Sequence, residues 1–287
     1  AWGLSGVSGQ YLMAHGFSAI ILTNIRLLIA GAVLLLFAYL SDKEKFVAFF
    51  KDKSSYISLI LFAFLGLLLT QLTYLIAIAE TNAGTATVLQ YVCPVGVLAY
   101  TCIKDRVGPT VSEIASMLLA IGGTFLIATH GQLNQLAITP KGLGWGLFSA
   151  FAYALYIILP LNLIKKWGSM LVIGVGMLLP GILMLPFSGL VSFQGHYSSD
   201  NLWALFGLIV LGTIFAYTVF LKGTSMVGAV KGSLLASIEP ISAVFFAYMI
   251  MNDQFYAIDF IGMGMILLAV LLISLKDLII QKEKGIL

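Results

Sequence analysis

At 287 residues the chain is 60% hydrophobic and only 9% charged, with a mean hydropathy of +1.05. A soluble domain carries roughly 25% charged residues, so there is too little polar surface here to cover a globule, and lipid is the solvent that fits. The net charge of +3 makes no case for a nucleic-acid partner, because the basic residues sort to one side of a membrane.

Ten apolar segments follow in order, at about 1–15, 18–40, 56–79, 83–103, 110–129, 142–164, 169–187, 202–221, 225–251 and 256–275. Each is a candidate transmembrane helix. Short connections make neighbours antiparallel, and the longest polar link, Ser41 to Ser55, carries mixed charge. The chain opens on Ala1-Trp2-Gly3 without a methionine, and its first segment is short for a span. A few native residues are therefore expected to precede it, and no cleavable signal peptide is visible. Cys93 and Cys102 share one segment, about 13 Å apart along a helix, too far to bridge. They read as packing residues.

Lysine and arginine set the orientation. Lys43, Lys45, Lys51 and Lys53 fall on one side, as do Lys104, Arg106, Lys165, Lys166, Lys222 and the tail's Lys276, Lys282 and Lys284. That is twelve of the fifteen basic residues. Lys141 alone lies in an opposite loop, and Arg26 and Lys231 lie within spans. Both termini are thus expected in the cytoplasm.

The chain also repeats itself. Trp2-Gly3-Leu4 recurs as Trp145-Gly146-Leu147, Leu65-Gly66 as Leu211-Gly212, Pro94 as Pro240, and Glu113 as Asp259. The expected fold is an all-α integral membrane protein with ten transmembrane helices, in two five-helix repeats at 1–139 and 140–287. An odd number of spans per half inserts the halves in opposite senses, an inverted-topology plan common among secondary transporters.

With these features the sequence resembles the drug/metabolite transporter superfamily, EamA type. The resemblance covers essentially the whole chain. It rests on the two halves, Trp-Gly-Leu at the head of each, and the second-helix arginine in Asn24-Ile25-Arg26-Leu27-Leu28. It rests also on the prolines of the fourth and ninth helices, each followed by an acidic turn at Asp105 or Asn252-Asp253. It implies a carrier for metabolites, amino acids or drugs. The chain departs from it at Lys231, where a small residue is usual, and in a seventh segment without a counterpart to Arg26.

Charges inside a bilayer cost roughly 2.5–3.5 kcal/mol each on insertion scales, so by default they face protein or water. Glu239 is the only carboxylate deep in a span, beside the helix-breaking Pro240. It either carries a coupling proton or satisfies carbonyls that the proline frees. Lys231 either faces a cavity or snorkels to the interface. It lies about 12 Å from Glu239 along the helix, too far for a direct ion pair. Arg26 reads as a structural charge, and Glu113 and Asp259 as acids at helix N-termini.

Uncharged polar groups in hydrocarbon need partners, which turns Gln10, Tyr11, Gln71, Tyr74, Gln90, Tyr91, Tyr153, Tyr156 and Tyr217 inward. Of these, Gln10, Gln71, Tyr74, Gln90, Tyr91, Tyr153 and Tyr217 are taken with Trp145, Lys231 and Glu239 as candidate solute-binding residues. Each could equally hold helices together by hydrogen bonds. Pro94 and Pro240 are the expected helix breaks, with Gln90-Tyr91 before Pro94 as the first-half counterpart of the Glu239 region. Gly122-Gly123, Gly262, Gly264 and the pairs Gly142/Gly146 and Gly228/Gly232 are expected at close helix contacts. His15, His130 and His196 have no ligand-like spacing, so neither a metal nor a cofactor is expected.

The function this points to is secondary active transport of a small organic solute by alternating access. The solute would be an amino acid, amine or related metabolite or drug, moved out of the cell by a monomer or homodimer among membrane lipids. The alternative is an integral-membrane enzyme acting on lipid or isoprenoid substrates. Such an enzyme needs a nucleophile with a base or a metal cluster, and the chain has no HExxH, GxSxG or Walker A pattern. Cysteines placed singly in 41–55 should react only with cytoplasmic reagents, and those in 188–201 only with external ones. Labelling of both loops from one side would remove the two-half reading.

Overall fold

The computed structural model describes residues 1–93, 96, 102, 103, 106, 108–129, 138–193, 198–216, 219 and 238–283, with backbone only for 128, 161, 238 and 273–283. Among the described residues every regular element is helical. Three helices, Ala19–Ser41, Lys53–Glu80 and Pro140–Ile158, are long and apolar enough to cross a membrane.

The order begins with α1 (Trp2–Ala14), α2 (Ala19–Ser41) and α3 (Lys43–Lys51). Next comes one continuous rod made of α4 (Tyr56–Leu61), a π-helical stretch (Phe62–Leu68) and α5 (Leu69–Glu80). After it lie α6 (Ala83–Gln90) and α7 (Val111–Thr129). The second half supplies α8 (Pro140–Ile158), α9 (Leu161–Trp167), α10 (Ser169–Met184) and α11 (Ser199–Phe206). α11 runs into a second π-helical stretch (Gly207–Phe215), and α12 (Ile238–Met251) and α13 (Ala257–Glu283) close the chain.

The helix starts are written in the sequence. Ser18, Asn82, Thr139 and Ser198 each accept a hydrogen bond from the backbone N–H three residues on. These bonds satisfy donors that a helix otherwise leaves open. Glu113 reaches back to the Thr110 N–H, and Asp259 does the same to the Tyr256 N–H. The two acids thus repeat one capping device 146 residues apart.

Proline marks two of the helix ends, although Pro180 is accommodated inside α10. The expected fourth segment breaks at Tyr91 and Val92, after Gln90. Gln90 is the residue whose carbonyl a helical proline at 94 would strike. Pro94 itself lies outside the described residues. The expected sixth segment, 142–164, is two helices rather than one, with a turn at Leu159 and Pro160. The cause is the same, Pro160 against the carbonyl of Tyr156. Glu239 and Pro240 lie in the first turn of α12 as described from Ile238.

Packing crosses between the halves. α2 lies along α10, α7 along α13, and α6 against α12. α1 packs on the second π stretch and on α12, as α8 packs on the first π stretch and on α6. Outside the apolar segments, Lys166 reaches Asp52 at 2.6 Å and the Trp167 indole donates to Ser55. Hydrogen bonds from Lys166, and then from Ser54 and Ser55, hold the Asp52 carboxyl well below the usual carboxylate range.

Glycine permits the closest contacts. A Cβ on Gly123 would sit 2.5 Å from the Gly262 carbonyl oxygen, and one on Gly262 would sit 2.8 Å from that of Gly123. Gly264, two residues on and so on the other side of the helix, has open space around it. Alanine is the better helix former by about 1 kcal/mol, whereas forced overpacking costs about 1–3 kcal/mol. Gly123→Ala should therefore lower the unfolding midpoint, and Gly264→Ala should leave it unchanged or raise it. Equal effects in a thermal-unfolding series would show that the two helices do not meet at Gly123.

Candidate functional site

Polar side chains from both halves converge on a cavity of about 80 Å³. α5 brings Thr70, Gln71 and Tyr74, and α6 brings Gln90. α1 contributes Trp2 and Ser5, and α2 contributes Arg26. Across from them stand Tyr153 and Tyr156 of α8 and Glu239 of α12. The lining therefore holds a guanidinium, a carboxylate, two amides and a row of aromatic rings. Its volume is below the roughly 300–1,000 Å³ of ordinary ligand pockets.

The charged walls are tied in place by hydroxyls. Arg26 is buried and its Nε donates to Thr213 Oγ1 at 2.6 Å. Thr213 donates on to the Leu208 carbonyl, which also receives the Ser5 hydroxyl at 3.3 Å. Glu239 is half-buried, and its Oε2 accepts the Tyr91 hydroxyl at 2.9 Å. Tyr74 meets Thr87 Oγ1 at 2.6 Å, and Thr87 donates to the Ala83 carbonyl, so the Tyr74 hydroxyl is the donor. Tyr153 and Tyr156 lie nearly parallel, 14° between planes and 5.7 Å between centroids. Gln71 differs from all of these. It is 4% exposed, and neither its Oε1 nor its Nε2 meets a hydrogen-bond partner among the described residues.

Of the residues expected to bind solute, Gln71, Tyr74, Gln90, Tyr153 and Glu239 come together here, and Tyr91 joins them through Glu239. Arg26, read as a structural charge, also lines the cavity. Gln10 lies elsewhere, donating to Asp253 at 2.9 Å and accepting the Ala83 N–H at 2.7 Å, so it clasps α1, α6 and the turn after α12. Trp145 packs against the apolar core beside α1 and α5, with its ring on Phe148. Pro240 is buried and lines a separate, apolar groove between α12 and α13. Pro94, Tyr217 and Lys231 lie outside the described residues. Sequence reasoning did not single out Ser5 or Thr70, since hydroxyls on apolar helices usually bond their own backbone. No cluster of three His, Cys, Asp or Glu side chains able to hold a metal occurs among the described residues.

The profile of the EamA-like transporter family matches twice, over residues 1–129 and 140–275. The chain belongs to the EamA-like transporter family. Among its relatives, the uncharacterized inner membrane transporter YicL of Salmonella typhimurium is 36% identical over 277 residues, 96% of this chain and 92% of YicL. The uncharacterized transporter YetK of Bacillus subtilis is 25% identical over 276 residues, 92% of this chain and 81% of YetK. A solved crystal structure aligns with a TM-score of 0.60 over 95% of both chains at 13% identity, and so shares the fold. These likenesses identify an all-helical membrane protein of the EamA-like, drug/metabolite transporter type.

The Tyr74–Thr87 bond holds one wall of this EamA-like chamber, and a neutral hydrogen bond contributes about 1 kcal/mol. Tyr74→Phe should lower the unfolding midpoint by about 2–4 °C. In a double-mutant cycle with Thr87→Val the two losses should overlap. Strict additivity would show that the bond is not made.

Proposed function

We propose that this chain is a secondary active transporter that moves a small organic solute across the cytoplasmic membrane by alternating access. The solute is an amino acid, an amine or a related metabolite or drug, the direction is export, and protons drive it through Glu239. Ten spans in two inverted halves, 1–139 and 140–287, with both termini cytoplasmic, are the frame for that cycle. The observation that carries the reading is a polar chamber walled by α1, α2, α5 and α6 of one half and by α8 and α12 of the other. Inverted-repeat transporters keep their sites at such junctions. The recurrence of two π stretches, two reach-back acids and cross-half packing at one sequence offset supports the repeat.

Glu239 suits the coupling role by position. Its carboxyl shares the chamber with Arg26, takes a hydrogen bond from Tyr91, and stands where a solute ammonium or a proton could compete for it. Exchange of one for the other links the two fluxes, because a carrier site serves whichever cation it holds. Glu239→Gln keeps size and hydrogen bonding but removes the exchangeable charge. In proteoliposomes this variant should retain exchange between like pools of solute and lose accumulation driven by a pH gradient. Unchanged pH-driven accumulation would make Glu239 a structural partner of Pro240 and end the coupling reading.

A further inference from the structure

The unpaired carboxamide of Gln71 has no structural use in the described fold. A buried donor or acceptor without a partner loses its water and gains nothing for it, and here both ends of one amide are in that state. The neighbouring Thr70 Oγ1, on the same cavity wall, is buried and unpaired as well. Other polar side chains of the chamber, Arg26, Tyr74, Tyr91 and Glu239, are engaged. Whichever way round the Gln71 amide sits, it presents a donor beside an acceptor.

An edge of that kind is complemented by another donor beside an acceptor. The aromatic side of the chamber adds a second requirement. Phe62, Tyr156 and Tyr153 form a ladder of rings at 5.9 and 5.7 Å between centroids, with planes tilted by 30° and 14°. The two tyrosines line the cavity along with Gln71. Flat rings favour a flat solute, and stacking on aromatic side chains tolerates many ring types.

We propose that Gln71 is the specificity-determining residue of the chamber, pairing with a planar solute edge that carries a hydrogen-bond donor beside an acceptor while the solute's face lies on the tyrosines. Two sources share that chemistry, a primary carboxamide on a ring and the amino-substituted edge of a nucleobase. The inference deepens, and rests on, the transport reading above. At about 80 Å³ the cavity is smaller than such solutes, so binding widens it and gives Gln71 the partners that the described fold withholds.

The test uses the purified full chain and four neutral probes: nicotinamide against 3-acetylpyridine, and adenine against purine, each pair differing at the edge in question. Wild type should bind at least one edge-bearing probe roughly ten-fold or more tightly than its partner, and the responding pair identifies the source. Gln71→Leu should abolish that preference and, having removed an unpaired buried amide, should raise the midpoint of the ligand-free protein. Gln71→Met, nearly the same size but lacking both donor and acceptor, should also lose the preference. A wild type without preference, a preference that survives both variants, or a ligand-free Gln71→Leu less stable than wild type would overturn the assignment. Flux in proteoliposomes separates the two readings. Binding preference without flux leaves Gln71 standing and removes transport, whereas flux of a solute indifferent to Gln71 substitution does the reverse.

Discussion

A guanidinium buried in an apolar bundle is the constraint on which the chamber depends. Arg26 sits on a helix that offers it no charged neighbour in sequence, and its one hydrogen bond among the described residues goes to Thr213 in the other half. Removing one partner of a buried charge is far costlier than never having built the pair. The bond therefore fixes α2 against the second π stretch. The relay continues from Thr213 to the Leu208 carbonyl, where Ser5 of α1 also docks. Two hydroxyls share one backbone oxygen, α2 is tied to it through Thr213, and Ser5 and Arg26 line the cavity beside it.

Around that point the two halves divide the labour. α2 with α10, and α7 with α13, make long antiparallel contacts that contribute little to the cavity lining, and Gly123 and Gly262 bring the last pair's backbones close. Asn24, two residues before Arg26, donates to the Gly181 carbonyl and accepts the Ser188 hydroxyl, which anchors the outer reach of α2 to α10. The lining comes instead from α1, α5, α6, α8 and α12, with Arg26 the contribution of α2. The bracing pairs bury apolar faces and glycines against each other, and the lining helices turn their polar side chains inward, away from lipid.

Much of this was legible in the sequence. Hydropathy marked the apolar helices, whereas the caps at Ser18, Asn82, Thr139 and Ser198 were not singled out in the sequence and emerge from the structure. The requirement that polar groups avoid lipid drew Gln71, Tyr74, Gln90, Tyr153 and Glu239 towards one interior. The same rule could not separate Gln10 from them, since a glutamine is equally content with a loop carboxylate and a helix N-terminus, which is what it finds in Asp253 and Ala83. Nor could it separate Trp145, whose indole packs as apolar bulk beside the core and does not line the cavity. Pro160 carried the signal for the break after α8, but the apolar run on either side masked it. The state of Gln71 was not legible at all, because whether an amide finds partners depends on tertiary distances and not on its neighbours in the chain.

The π stretches also bear on how any pattern in these helices is to be read. A π turn takes in one residue more than an α turn, and one residue of an α-helix is about 100° of rotation. Thr70, Gln71 and Tyr74 come directly after Phe62–Leu68 in a rod that looks continuous from Lys53 to Glu80. A single helical wheel drawn through that rod therefore changes phase midway. The face of α5 is rotated from that of α4 by this fixed step, so α4 can keep an apolar face to lipid while α5 turns its polar face across the bundle. In angular terms the surplus residue is a coupling between two shafts on one axis, and the chamber owes its orientation to it.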